Sequence, residues 1–441
     1  MHTQSPPPGF WSRLRHTGPG LVMSAAVVGS GELIATTALG AKAGFVTMWI
    51  ILASCLIKVA LQVEFGKNAI LTGQTAMQSF NALPGWRIGR AHWSIWFWLS
   101  LQVFKFLQVG GIVGGVAYLL TRMAPILDAK LWAAVAALSA AALVYRGNYK
   151  AIEKLATVMV VLFSISILLS LGLLQSTDYA ITWQQLKTGL TFQLPPGAVF
   201  IALGAFGITG VGGDEIMYYT YWCKDKGYAA YTGADKSDPG WGARARGWIH
   251  IMMLDALLAM MVYTLVTCAF YLLGAALLHQ HGEVPEGYAM VETLSLLFTT
   301  TFGPWAKALF LGGAFAALYS TLFTATAGWS RVYSDALHQL GWWKMDSPEV
   351  ERKAIQILSW FFPISWCLLF YFVKLPVWMI LIGGVATTIL LLLVVYGALS
   401  FRYRNTPQLL QPTRRYDVWL WASALAVIAF SILGLVQSLR S

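Results

Sequence analysis

Apolar runs long enough to cross a bilayer recur from about residue 19 to residue 438, and no polar stretch of domain size separates them. A hydrocarbon core of about 30 Å takes about 20 apolar residues per helix. Eleven segments meet that length: about 19–41, 46–68, 94–121, 131–146, 153–175, 197–222, 249–278, 304–330, 354–373, 377–400 and 417–438. Lipid offers no partner to backbone N–H and C=O groups, so each segment must be a helix or a broken helix buried in protein. A membrane β-barrel would need short alternating segments, and the chain has none of that pattern. With 57% hydrophobic and only 11% charged residues, against about 25% charged in soluble domains, a water-soluble enzyme is excluded. The predicted fold class is an all-α polytopic membrane protein.

The formal net charge of +11 reads as loop charge in such a chain, not as a nucleic-acid surface. With the N-terminus cytoplasmic, Lys and Arg concentrate at Arg13 and Arg15, Lys67 to Arg90, Arg146 to Lys154, Lys224 to Arg246, Arg331 to Lys353 and Arg402 to Arg415. The opposite loops carry only Lys42, Arg122, Lys130, Lys187, Lys307, Lys374 and Arg440. An odd number of spans then puts the C-terminus outside, and the expected location is a bacterial inner membrane. Cys55, Cys223, Cys268 and Cys367 are scattered singly, so neither a disulfide framework nor a zinc site is indicated. The first apolar run, broken by Gly and Ser, does not read as a cleaved signal peptide.

Two spans are interrupted by glycine and acid. The first contains Gly29-Ser30-Gly31-Glu32; the sixth contains Gly204, Gly207 and Gly210, then Gly212-Gly213-Asp214-Glu215. Each starts near a Pro-Gly pair and ends its glycine cluster in Glu followed by Leu or Ile. They lie five spans apart, the spacing of an inverted five-plus-five repeat, in which glycine-interrupted segments mark a transporter's binding site. The chain divides accordingly into a cytoplasmic segment 1–18, a first repeat 19–175, an outer connection 176–196, a second repeat 197–400, and a last loop and helix 401–441. Breaking a helix in mid-membrane frees carbonyls at one half and N–H groups at the other. Carbonyls with carboxylates make an oxygen-rich site suited to a hard cation. A buried carboxylate costs about 2.5–3.5 kcal/mol on insertion scales, so Glu32, Asp214 and Glu215 need partners. Close helix packing is the competing account of Gly204, Gly207 and Gly210, but it leaves the acids unexplained.

The stretch from Gly18 to Phe45 resembles the first helix of the Nramp family of divalent-metal transporters, through Gly18-Pro19-Gly20, Ala35-Thr36, Leu39-Gly40-Ala41 and Gly44-Phe45. The span count and the two breaks extend the resemblance over nearly the whole chain. It implies the LeuT-type inverted-repeat fold and alternating access. The family's Asp-Pro-Gly-Asn motif falls on Gly29-Ser30-Gly31-Glu32, and its Met-Pro-His motif on Gly212-Gly213-Asp214. Loss of the soft thioether and gain of carboxylates shift the expected cargo toward hard ions such as Mg²⁺ or Mn²⁺. The family's acidic pair in the third helix falls on Lys105 and Gln108, which with Gln102 form an inward-facing polar stripe. A fixed cation there, paired with Glu32 or Asp214 or standing in for a coupling ion, implies transport without the family's proton coupling. A carrier of the same fold for a small organic solute is the alternative.

Glu64 with Lys67 reads as an ion pair near the cytoplasmic end of the second span, and Asp255 as a structural cap or pair near Arg244, Arg246 and His250. His279, His281 and Glu283 form an H-x-H-x-E run better explained as a solvated loop than as a metal trap. Trp93, Trp96, Trp98, Trp241, Trp248, Trp342, Trp343, Trp419 and Trp421 read as interfacial belts. A short outer helix is expected within Thr182–Leu194. An intramembrane aspartyl protease is not supported: Val211 occupies the first glycine position before Gly213-Asp214, and Tyr416-Asp417 sits at a span's edge. No H-E-x-x-H or G-x-S-x-G occurs. Neither an enzyme nor a cofactor is expected; the partners are the lipid bilayer and a divalent cation or small solute.

Overall fold

The computed structural model describes residues 3–29, 31–146, 148–279, 292, 293, 295, 299, 303–373 and 376–438. All eleven expected segments are helical; among the described residues nine helices are long and apolar enough to cross a membrane, ten with the bent first pair, and Ala129–Tyr145, the expected fourth span, is shorter. The first is split into Pro19–Val27, a π-helical turn Gly31–Thr36 and Thr37–Ala43, with a bend of 44° between its halves. The second to fifth are Met48–Thr72, Trp93–Met123, Ala129–Tyr145 and Tyr149–Leu174. The sixth is split into Val199–Ile208 and Gly213–Lys226. Then follow Trp241–Leu273, Pro304–Gln339, Pro348–Phe372, Pro376–Arg404 and Arg414–Ser438. Among the described residues the only strands form a two-stranded hairpin, Arg87–Ile88 with Ala91–His92, just before the third span. The expected outer helix is Trp183–Thr188, started by a capping box between Thr182 and Gln185.

Packing follows an exchange of halves. The second span packs on the seventh, the third on the eighth and the fourth on the ninth; the third packs on the tenth as the eighth packs on the fifth. Each contact maps onto itself or onto another when span n is replaced by span n + 5, as a five-plus-five repeat requires. The first, second, sixth and eighth spans are deeply buried, whereas the fifth, ninth and eleventh present many side chains such as Leu162, Phe361 and Leu425 outward. The broken helices are thereby central, and lipid-facing helices wrap them.

The basic loops gather on one face. Lys226 joins Glu153 at 2.6 Å, Arg331 joins Asp225 at 2.9 Å, Asn405 Nδ2 donates to Asn68 Oδ1 at 2.8 Å, and Arg246 donates to the Leu409 carbonyl. At the other face Trp49 N–H donates to the Gly189 carbonyl, and Tyr371 Oη to that of Lys130. The charge asymmetry read along the sequence is thus an asymmetry in space.

Candidate functional site

Helix geometry fails in the first span around Gly29, and the reason is close approach. A Cβ on Gly29 would lie 1.8 Å from Thr321 Oγ1 and 3.0 Å from the Ala317 carbonyl, so the eighth span passes against bare backbone here. Its hydroxyls serve the broken end: Ser320 Oγ and Thr321 Oγ1 donate to the freed Ala25 carbonyl at 3.0 and 3.3 Å. In the sixth span the break runs from Thr209 to Gly212, with Gly210 at φ +61°. Gly207 serves packing: a Cβ there would meet the Gly384 carbonyl of the tenth span at 2.0 Å. The packing account therefore holds for Gly207.

Glu32 is fully buried and ties the breaks together. Its Oε1 accepts from Gly210 N–H at 3.3 Å and Thr267 Oγ1 at 3.2 Å, and its Oε2 accepts from Gly29 N–H at 3.3 Å. Gly212 is the residue before the half-helix Gly213–Lys226, which puts Asp214 and Glu215 in its first turn, where the N-terminal partial charge favours carboxylates. Asp214 Oδ1 accepts from Trp98 Nε1 at 3.0 Å and Gln102 Nε2 at 3.2 Å, and its Oδ2 lies 3.4 Å from Lys105 Nζ. Lys105 also donates to Thr387 Oγ1 at 2.6 Å. Of the two partners considered for Lys105, Asp214 is the one found.

Between these elements lies a cavity of about 20 Å³, lined in part by Val27, Lys105, Gln108, Glu215, Tyr218 and Thr321. A water-sized sphere needs about 10–15 Å³ by the same measure, so this space takes about one such particle. Gln108 Oε1 is buried with no hydrogen-bond partner. Among the described residues, no group of three or more His, Cys, Asp and Glu side chains is placed to hold a metal ion. The polar side chains among its lining residues are the Glu215 carboxylate, the Gln108 amide and the Thr321 hydroxyl, oxygen donors that hard cations accept, together with the Lys105 ammonium, which opposes a cation.

Of the site residues expected from sequence, the structure brings Asp214 together with Gln102 and Lys105, and Glu215 with Lys105 and Gln108 at the cavity. Glu32 is held by other partners and does not line it, so the three acids do not surround one pocket. Gly29, Gly212 and Gly213 sit at the breaks; Ser30 lies outside the described residues, as do His281 and Glu283 of the H-x-H-x-E run. Three tryptophans expected in interfacial belts are interior instead: Trp98, Trp241 and Trp248 are all buried. Trp98 is needed inside because its indole N–H satisfies a buried carboxylate. Glu64 and Lys67 pair as expected, at 2.7 Å, with Tyr416 Oη donating to the same carboxylate. Asp255 caps, but not beside Arg244: it accepts the N–H groups of Gly18 and Gly20 at the start of the first span. Asp417 forms a two-point ion pair with Arg402, far in sequence and partners from Asp214. Sequence reasoning missed Thr267, Thr321, Trp98 and Thr387. All are hydroxyls or indoles in helices, whose roles depend on which face a neighbouring helix presents.

Two discontinuous helices crossing in the middle of a paired-repeat bundle define a LeuT-type membrane protein. The natural resistance-associated macrophage protein-like family model matches residues 20–437. The chain belongs to the Nramp family. An uncharacterised protein of Pasteurella multocida (strain Pm70) is 22% identical over 374 residues, covering 78% of this chain and 75% of that one. The Eremococcus coleocola manganese transporter has the same fold, with TM-score 0.60 and 16% identity over 99% of this chain and 98% of that one. So does MhsT in complex with L-phenylalanine, with TM-score 0.62 and 12% identity over 95% and 98% of the two chains. Mhp1, a nucleobase-cation-symport-1 family transporter, matches with TM-score 0.58 and 14% identity over 96% and 90%.

Proposed function

We propose that this protein is a secondary transporter that moves a divalent metal cation across the membrane by alternating access. The observation that carries the reading is the ion-sized cavity between the two broken helices, with Glu215 and the unpartnered Gln108 Oε1 among its lining groups. Glu215, Gln108 and Thr321 contact the cargo, and the breaks at Gly29-Ser30-Gly31-Glu32 and Gly212-Gly213-Asp214 supply carbonyls as the halves move. Oxygen donors without a thioether favour a hard ion, Mg²⁺ or Mn²⁺. Manganese is what the Eremococcus coleocola relative is named for. Lys105 keeps Asp214 compensated when the cavity holds no ion, so the carrier returns empty without a proton on that site. Uptake therefore proceeds without Nramp-type proton coupling. A small organic solute is the weaker alternative, because about 20 Å³ admits no molecule of that size in this conformation.

Calorimetric titration of the purified protein with Mg²⁺, Mn²⁺ and Ca²⁺ tests this. Saturable binding of Mg²⁺ or Mn²⁺, weakened at least about tenfold in Glu215→Gln by loss of one ligand charge, is expected. Silence toward every divalent ion, with tight binding of an organic solute, would end the metal reading.

A further inference from the structure

The freed carbonyls of the sixth span are occupied. Val199–Ile208 ends in the membrane interior, and the last carbonyls of a helix carry a partial negative charge and have no intrahelical donor. Ala205 O is satisfied by Thr209 N–H at 2.8 Å. Those of Phe206 and Gly207 meet Lys58 from the second span, as does the Thr209 carbonyl just beyond the helix end. Its Nζ donates to the carbonyl oxygens of Phe206 at 2.7 Å, Gly207 at 3.3 Å and Thr209 at 2.5 Å. An ammonium has three N–H donors and no acceptor, so three carbonyls saturate it. The Phe206 ring centroid stands 5.2 Å away. Ser54, one helical turn before Lys58, has its Oγ 2.9 Å from the carbonyl oxygens of both Phe206 and Thr209, which share its one hydrogen, and accepts from Thr209 Oγ1 at 2.8 Å.

Lys58 is fully buried. Among the described residues no carboxylate lies within ion-pair distance of it, unlike Lys67 and Lys105. Its charge is balanced by a ring of backbone oxygens and a half-helix dipole, the environment a dehydrated monovalent cation would need. Glu32 addresses the complementary pole of the same break through Gly210 N–H. The break is thus held between the Lys58 ammonium and the Glu32 carboxyl group.

We infer that the carbonyl end of Val199–Ile208 is a monovalent-cation site whose resident cation is covalently attached, the Lys58 ammonium. Lys58 is a positioning residue: it touches no cargo in the cavity but fixes the half-helix end that abuts it. The protein needs no free Na⁺ or K⁺ at this point, and removing the ammonium opens a site for a small free cation. This conclusion rests on the sixth-span geometry alone and stands whatever the cargo is.

The test is thermal unfolding of purified wild type and Lys58→Ala in N-methylglucamine buffer, titrated at constant ionic strength with Na⁺, K⁺, methylammonium or ethylammonium. The expected result is a midpoint several degrees lower in Lys58→Ala, restored in part and saturably by at least one small cation, as ligand linkage requires, while wild type does not shift. Tetramethylammonium, which has no N–H donor, should not restore it. The inference is overturned if none of the four cations raises the midpoint of Lys58→Ala, or if wild type itself gains a saturable shift from Na⁺ or K⁺. If Lys58→Ala cannot be purified, recovery of folded protein from Lys58→Arg and Lys58→Gln decides. Recovery with the arginine alone supports the site, and equal recovery of both refutes it.

Discussion

Lys105 Nζ lies 3.4 Å from Asp214 Oδ2, and both side chains are nearly inaccessible to solvent. Removing one partner of a buried pair strands the other, typically at about 3–5 kcal/mol, whereas replacing both with neutral groups costs far less. Lys105→Met and Asp214→Asn should each lower the thermal midpoint sharply. The double variant should lie well above the sum of the two losses, because the groups couple directly. A double-mutant cycle by fluorescence-monitored unfolding measures this. Strictly additive losses would mean that the 3.4 Å approach carries no interaction.

The same pair bears on energetics of transport. A proton-driven carrier needs a buried group that changes protonation state during the cycle, and the uncoupled reading proposed above takes Asp214 out of that role through its pairing with Lys105. In proteoliposomes, initial uptake of whichever divalent ion titrates should change less than about twofold, under 0.5 kcal/mol in barrier, when an inward pH gradient is imposed or collapsed. Uptake that vanishes without the gradient would refute the uncoupled reading.

Gly29 faces a different constraint, that of space. Alanine there would put a methyl group 1.8 Å from Thr321 Oγ1 and 2.6 Å from Thr321 Cβ, and overpacking of this kind typically costs about 1–3 kcal/mol. Gly29→Ala should therefore be destabilised and lose ion binding. Gly29→Ala combined with Thr321→Gly should recover stability in part, since both clashing atoms are gone while the Ala317 carbonyl remains at 3.0 Å. Unfolding midpoints of the three variants check it; no recovery in the double variant would place the strain elsewhere.

The helical segments and both breaks were legible because bilayer thickness and the absence of water impose patterns that a single sequence displays, whereas the number that span was not, since Ala129–Tyr145 is shorter than a full crossing. Residue types at the breaks were legible too, since glycine beside acid in mid-membrane has few purposes. Directions were not. Whether Glu32 turns toward Asp214 or toward Gly210 and Thr267 depends on the rotation of a half-helix after its break, which no periodicity encodes. Lys58 lies inside the second apolar segment, but its partners are carbonyls, and backbone groups carry no sequence signature. Trp98 looked interfacial because tryptophans crowd that end of the third span, and only the position of Asp214 draws it inward.

Asp255 closes the basic face of the bundle. Its two oxygens accept from Gly18 N–H at 2.7 Å and Gly20 N–H at 2.6 Å, and Tyr219 Oη adds a third bond at 3.1 Å, so one carboxylate joins the first, sixth and seventh spans. Pro19 and Gly20 begin the half-helix whose other end reaches the cavity at Ala26 and Val27. Opening toward that face requires this end to swing away, and the carboxylate opposes the movement with hydrogen bonds to a charged group, each about 1.5–3 kcal/mol. Asp255→Ala removes that opposition. With Ala26→Cys as reporter, labelling by a membrane-impermeant thiol reagent added from the Arg13 side should accelerate at least about tenfold, the change that 1.4 kcal/mol produces in an equilibrium. Controls lacking the reporter account for the four native cysteines. Asp255→Asn keeps one acceptor oxygen and should fall between the two. Labelling that stays at the wild-type rate in Asp255→Ala would show that the first half-helix is held shut by packing against the fifth and eighth spans, not by its cap.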